Sequence, residues 1–386
     1  ISFDHIESVH TVNGTSACVL GTNSDDDITI IARDDSTHAG TDGVQDFTVS
    51  VNTLPVLLYT DFAELYVDAL AGDDDIVVRA PAPNDANWNV DVFIAGGPPS
   101  DGAVNEGDRL VFETPGNDDV IYTPTGSDSG TILVDEDGDD AFTPGTDTLI
   151  TMGSFTVACP DIHIAEGGIE LFEYDGEAGD DTLTVLGDGA AAERDDVITH
   201  TVVEGVEDEG AFQVNNFLPI NYQNVGALAR LVVNGGSSDR EDEFAFVGTQ
   251  VIDEFSVASD PGPDDNVVSR TGSGRVFISN IDLVSIYGLD GDDAFSINAD
   301  TVNTDGAGGL LPLTVNVQGG NPADSDVVTV NSTIGVDERF SVLPGTIIGS
   351  GQVRVRDPGG TTDMVNYDGV ELVRVRGTDT DADNLS

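Results

Sequence analysis

The chain reads as an all-β protein: an elongated array of short strands joined by Gly/Asp turns. A β-solenoid-like stack is the first architecture and tandem β-sandwich domains are the alternative. Three observations lead there. Short runs alternate apolar and polar residues, as in Asp46-Phe47-Thr48-Val49-Ser50-Val51 and Leu313-Thr314-Val315-Asn316-Val317, and a period of two marks a strand with one buried face. Clusters of Gly, Asp, Asn and Pro separate these runs, and those residue types supply turns. The best helix-forming segment, Ala190-Ala191-Ala192-Glu193-Arg194, is only about a turn and a half long, so any helix there is short and local. Alternation and turn spacing are common to solenoids and sandwiches and do not separate them.

The runs are related to one another. An aromatic-x-x-apolar start, a strand, a Gly/Asp turn and a second strand recur along the chain. The pattern begins at Phe3-Asp4-His5-Ile6-Glu7, with a turn at Asp25-Asp26-Asp27 and the strand Ile28-Thr29-Ile30. It returns at Tyr59-Thr60-Asp61-Phe62, ahead of Ala71-Gly72-Asp73-Asp74-Asp75-Ile76-Val77-Val78, and at Ile169-Glu170-Leu171-Phe172, ahead of Ala178-Gly179-Asp180-Asp181-Thr182-Leu183. Further copies run from Tyr222 to Gly235-Gly236, from Ile281 to Gly291-Asp292-Asp293-Ala294-Phe295, and from Tyr367 onward. Shorter strand–turn–strand copies lie at Val92 to Phe112 and at Val315 to Val330. We therefore expect repeat units over 1–95, 96–186, 187–300 and 301–386, the last one truncated. The segment 366–386 aligns with the segment from Ile1 onward, so the expectation is either an array that continues in a longer chain or a subunit whose ends complete a neighbour's unit. The irregular spacing makes it a degenerate array, whereas stacked rungs favour constant length.

Composition restricts function. The 386 residues carry 72 Asp plus Glu against 13 Lys plus Arg, a formal net charge of −59. All thirteen cations are Arg, and Asp outnumbers Glu 54 to 18. Such a surface repels phosphate backbones and anionic lipid, which argues against nucleic acid and membrane docking. No apolar run approaches the roughly 20 residues of a membrane span. Apolar residues at 39% suffice for a core, so wholesale disorder is not expected. Cys18 and Cys159 lack the C-x-x-C spacing of zinc or redox sites. One long-range disulfide and two buried thiols are both compatible with them.

The acidic turns are the candidate site. Gly accepts positive φ and Asp bonds its own backbone, so each Gly-Asp-Asp reads in the first place as a solvated turn. The other reading is calcium, which takes six to eight oxygens from carboxylates and turn carbonyls. Two exposed carboxylates about 5 Å apart repel by about 0.8 kcal/mol in water and by more near protein. Repeated along an array, that repulsion favours a bridging cation or high salt. The candidate ligands are Asp25, Asp27, Asp73, Asp74, Asp75, Asp180, Asp181, Asp290, Asp292 and Asp293. Two segments echo the first half of an EF-hand loop. One contributes Asp135, Asp137, Asp139 and Asp140, and the other Asp379, Asp381 and Asp383. The first lacks Gly at the sixth position and Glu at the twelfth, so neither segment is an EF-hand.

The strand–Gly-x-Gly-Asp-Asp–strand pattern resembles the Gly/Asp-rich repeat regions of very large bacterial surface proteins. More distantly it is similar to the calcium-binding repeats-in-toxin nonapeptide. Gly288-Leu289-Asp290-Gly291-Asp292-Asp293 and Ala69-Leu70-Ala71-Gly72-Asp73-Asp74 carry the likeness. It touches about half the chain as scattered motifs. They stand singly, tens of residues apart, instead of in tandem. The resemblance implies secretion, calcium-dependent folding and a structural or adhesive role.

No catalytic constellation is found: no G-x-S-x-G, no H-E-x-x-H and no P-loop. The five His have no supporting motif, and Trp88, alternating with Val90 and Val92, reads as core. The expected function is therefore non-enzymatic. It is an extracellular, cell-surface structural protein, such as a fibre, sheath, surface layer or adhesin stalk. Calcium at the Asp-rich turns would rigidify it, and it would self-assemble end to end. Its partners would be further copies or neighbouring repeats, with cell-surface glycans as a further partner. A secreted β-helix carbohydrate-active enzyme and a salt-adapted acidic surface protein without ordered metal are the alternatives.

Overall fold

The computed structural model describes residues 8–12, 14–33, 45–82, 87–98, 107–136, 138, 141–143, 146–155, 167–187, 195–236, 242–259, 266–299, 313–321, 325–332, 337–356, 362–377 and 384–385. Among them are thirty-one short strands and no helix; none offers a helix long and apolar enough to cross a membrane. The helix candidate at 190–194 lies outside the described residues. The chain separates into two compact units. Unit 1 is Ile1–Asp188 with Asn216–Ala229, and unit 2 is Gly189–Asn215 with Arg230–Ser386.

Within unit 1 the chain alternates between two sheets. Glu64–Asp68 lies in one sheet, Asp75–Arg79 in the other, Asp91–Ala95 in the first again and Arg109–Glu113 in the second. Successive strands of one sheet pair in parallel, so two strands make one coil of a stack. The register stacks like on like. Ile28, Ile76, Leu110, Phe172 and Ile220 form one inward row, and Ile30, Val78, Phe112, Tyr174 and Tyr222 form the next. All ten are buried, as strict alternation requires of a half-buried strand. Unit 2 repeats the scheme, with Phe255, Phe295 and Val328 in register in one sheet and Phe244, Val284 and Val315 in the other.

The parallel stack is interrupted by a recurring device. In unit 1, Asp27–Arg33, Asp46–Val51 and Val56–Thr60 form an antiparallel meander. Its first strand pairs onward with Asp75–Arg79, and its third pairs back with Ser8–Val12. The meander of Asp119–Pro124, Gly130–Val134 and Thr148–Met152 follows the same rule. So do two meanders of unit 2, beginning at Glu254–Ser259 and at Arg339–Pro344. This explains the irregular repeat spacing. Coils containing a meander hold two extra strands, yet the stack continues through them at one strand spacing per step.

The core is aromatic at particular points. Trp88 is fully buried, as its alternation with Val90 and Val92 predicts, and meets Phe47 edge-on at 5.9 Å between ring centroids. His200 of unit 2 is fully buried, 4.4 Å from the Phe212 ring and 4.7 Å from Phe246. Burial pushes its pKa down to about 3, because the apolar site disfavours the charged ring. We expect the His200 proton signals to stay unchanged between about pH 8 and pH 5, where a solvated imidazole would titrate. A chemical-shift midpoint near the ordinary value of about 6.5 would contradict this placement. Cys18 is disulfide-bonded, and the other cysteine, Cys159, lies outside the described residues.

Candidate functional site: the stacked acidic turns

Many of the turns between sheets end on an acid placed immediately before a strand. In unit 1 these acids are Asp26, Asp74, Asp108 and Glu170 along one sheet and Asp118 and Asp181 along the other. Consecutive acids are hydrogen-bonded to one another from coil to coil. The Asp26 N–H donates to Asp74 Oδ1 at 2.7 Å, the Asp74 N–H to Asp108 Oδ1 at 2.9 Å and the Asp108 N–H to Glu170 Oε2 at 2.8 Å. The Asp118 N–H donates to Asp181 Oδ1 at 3.0 Å. Unit 2 builds the same ladder. Its links are Asp253 to Asp293 at 2.8 Å, Asp293 to Asp326 at 2.7 Å, Asp326 to Glu371 at 2.8 Å and Asp196 to Asp242 at 2.8 Å. Each link satisfies a turn N–H that no strand partner reaches. A hydrogen bond to a charged group contributes about 1.5–3 kcal/mol.

The first acids Asp26, Asp196 and Asp253 are each capped by a side chain that follows them in the chain. Asn52 holds positive φ, and its side chain donates to Asp26 Oδ1 while accepting from the Asp27 N–H. Asn215 does the same for Asp196 and Val197. At Asp253 the cap is the buried guanidinium of Arg270.

The second carboxyl oxygen is confined. Asp74, Asp108, Asp181, Asp293 and Asp326 are all nearly or fully buried, and the Oδ2 of each has no hydrogen-bond partner. Around Asp108, Asp181, Asp293 and Asp326 this oxygen crowds Gly96, Gly176, Gly288 and Gly319 respectively, alongside a carbonyl oxygen of the next coil. Any Cβ on those glycines would collide with both oxygens. Burial, followed by the neighbouring acids, lifts the pKa of Asp74 and Asp293 to about 6 and of Asp108 and Asp181 to about 7. Asp242 rises to about 6 and Asp326 rises as well, burial again coming first.

The candidate ligands therefore fall into two rows. Asp74, Asp181 and Asp293 belong to the buried inner row. Asp25, Asp27, Asp75, Asp180, Asp290 and Asp292 are exposed, and Asp73 is half-buried. The outer row is stacked too. The Asp73 N–H donates to Asp25 Oδ1 at 3.1 Å, and the Leu228 N–H to Asp180 Oδ1 at 2.8 Å. Asp135 is buried and accepts from the Gly138 N–H at 2.7 Å. Asp137, Asp139, Asp140, Asp379, Asp381 and Asp383 lie outside the described residues. Among the described residues no group of three or more His, Cys, Asp and Glu is gathered to hold a metal ion. The outer row places carboxylates on consecutive coils, Asp25 exposed and Asp73 half-buried.

The acids missed in the sequence, Asp26, Asp108, Asp118, Asp196, Asp242, Asp253, Asp326, Glu170 and Glu371, share one signal: an acid, any residue, then alternating apolar positions. Asp108-Arg109-Leu110-Val111-Phe112 and Asp326-Val327-Val328-Thr329-Val330 show it. No protein-family model matches this chain, and comparisons with curated proteins and with solved structures find no similar one. The likeness to Gly/Asp repeat proteins thus holds at the level of a repetitive all-β architecture. The motifs occur once per coil and not as tandem nonapeptides.

Proposed function

We propose that this chain is a non-catalytic structural protein of the cell exterior, a spacer that carries load along its stacked coils. The observation that carries this reading is the acid ladder, which recurs in both units and ties each turn to the next by a carboxylate-to-amide bond. A disulfide-bonded Cys18 supports an oxidising compartment. Strand edges that pair on one side only among the described residues, such as Ser16–Leu20 and Leu372–Arg376, support growth by addition of further coils or copies.

Calcium belongs to this reading at the outer row. Carboxylates on adjacent coils lie about 4.8 Å apart in the pairing direction, and a divalent ion would turn their repulsion into a tie. The test is thermal melting of the intact chain at low salt, in EGTA and in calcium, with sodium matched for ionic strength. We expect calcium to raise the midpoint beyond what screening gives. Asp25→Asn with Asp73→Asn should reduce that gain. Superimposable curves in EGTA and calcium would remove the metal from the proposal and leave the scaffold.

A further inference from the structure

We propose that the outer face of one sheet of unit 2 binds a saccharide bearing a carboxylate, a uronic-acid-containing oligosaccharide, in a cleft between Arg275 and Arg376. The site goes beyond the scaffold reading and does not depend on it. The cleft measures about 500 Å³ and is walled by the strands Glu254–Ser259, Asn266–Arg270, Arg275–Ser279, Ala294–Ala299, Val327–Ser332 and Leu372–Arg376. That volume is within the range of small-molecule sites.

The strand register builds its floor. Ser269 lies opposite Arg275, Ser256 opposite Ser269, Ser296 opposite Ser256 and Thr329 opposite Ser296. Four hydroxyls thus form one row across the sheet at about 4.8 Å per step, a spacing comparable with the length of a sugar ring. Thr329 is 8% exposed, and among the described residues its hydroxyl has no hydrogen-bond partner except what enters the cleft. A hydroxyl donates and accepts, which suits it to sugar hydroxyls.

Two arginines that line the cleft supply charge; in register Arg376 lies opposite Asn331, and Arg374 opposite Thr329. Arg275 and Arg376 are exposed and, among the described residues, form no ion pair, in a chain where acids outnumber cations 72 to 13. Arg275 lies 5.1 Å from the Phe277 ring centroid and Arg230 lies 4.9 Å from the same centroid. A guanidinium donates charge-assisted hydrogen bonds to a carboxylate. Glu254 also stands in the wall, tied to the Thr271 hydroxyl at 3.3 Å. That acid and the net charge of −59 exclude dense polyanions, so the fitting ligand is a hydroxyl-rich chain with isolated carboxylates.

The test is calorimetric titration of the intact chain in EGTA, which removes calcium bridging as a route to binding. The probes are a uronic-acid trisaccharide, its neutral hexose counterpart and an acidic peptide of equal charge. We expect the uronate to bind, with affinity falling about tenfold in Arg275→Ala and in Arg376→Ala and the melting midpoint unchanged. Thr329→Val should weaken it severalfold, and the neutral sugar should bind at least about tenfold more weakly. Absence of uronate binding, or binding indifferent to both arginine variants, would overturn the site. Equal binding of the acidic peptide would overturn its assignment to a saccharide.

Discussion

Acidifying the protein from about pH 8 to about pH 5 is expected to raise its thermal stability, and Asp108→Asn with Asp181→Asn is expected to abolish most of that gain. Both carboxyls are lifted to about 7 in the fold, against about 3.9 in an unfolded chain. A carboxyl raised in this way holds more protons in the native state. Its penalty is absent below about pH 4, grows as pH rises through the window between the two values, and is complete above about pH 7. Across that window each such group costs about 1.4 kcal/mol per pH unit. The geometry gives the reason. One oxygen accepts the N–H of the preceding coil, and the other crowds a glycine and a carbonyl oxygen. A proton on that second oxygen removes the charge that burial disfavours. Asn keeps the acceptor and carries no charge to desolvate, so the double variant should melt higher than wild type at pH 8 and show a flatter profile. Trp88, the chain's only Trp, lies buried in unit 1 with both residues and reports its unfolding. In unit 2 His200 opposes the gain. With its pKa lowered to about 3, it subtracts stability as pH falls below about 6.5. The response of unit 2 should therefore be the weaker one. A Trp88-monitored midpoint that is flat or rises toward pH 8, identical in the Asn variant, would show the inner row to be ionised without cost.

The fold class was legible because alternation survives in almost every strand. Asp46–Val51 spans the residues the period marks, and Leu313–Val317 falls one residue from the observed Thr314–Gln318. Pairing direction was not legible. A strand in the Asp27–Thr60 meander and a strand in the parallel stack both bury every second residue, and the difference lies in where the chain returns. The acidic turns were legible as a class but not as two rows. In Asp73-Asp74-Asp75 three identical residues meet three environments: half-buried, buried and exposed. Only the phase relative to the following strand tells them apart. The register of Ile76 inward places Asp74 inward too, two residues before it. The arginine cleft had no motif at all, because its walls come from six strands spread over more than a hundred residues.

Gly97→Ala and Gly320→Ala are expected to be the most damaging single substitutions in units 1 and 2 respectively. Each glycine follows another at the end of a strand and holds φ of +104° or +108°. A Cβ there would overlap the carbonyl oxygen of Leu70 or of Leu289 in the preceding coil. The obstacle cannot swing aside cheaply. Leu70 and Leu289 themselves stand at φ of 78° and 71°, a region that bulky residues seldom occupy, and the turns they belong to carry Asp74 and Asp293. The left-handed backbone alone costs an alanine about 1–2 kcal/mol, and forcing atoms into a packed site adds about 1–3 kcal/mol. Gly272→Ala separates the two terms. Gly272 has φ of +80° with nothing described within 4 Å of its Cβ position, so it should lose only the backbone part. Chemical denaturation of Gly320→Ala beside Gly272→Ala, followed by far-UV circular dichroism, measures the difference. Equal losses would mean that neighbouring coils can separate at this turn without penalty. The Asp293–Asp326 link beside it would then have no fixed spacing to span, and the ladder would be a consequence of the stack instead of a tie within it.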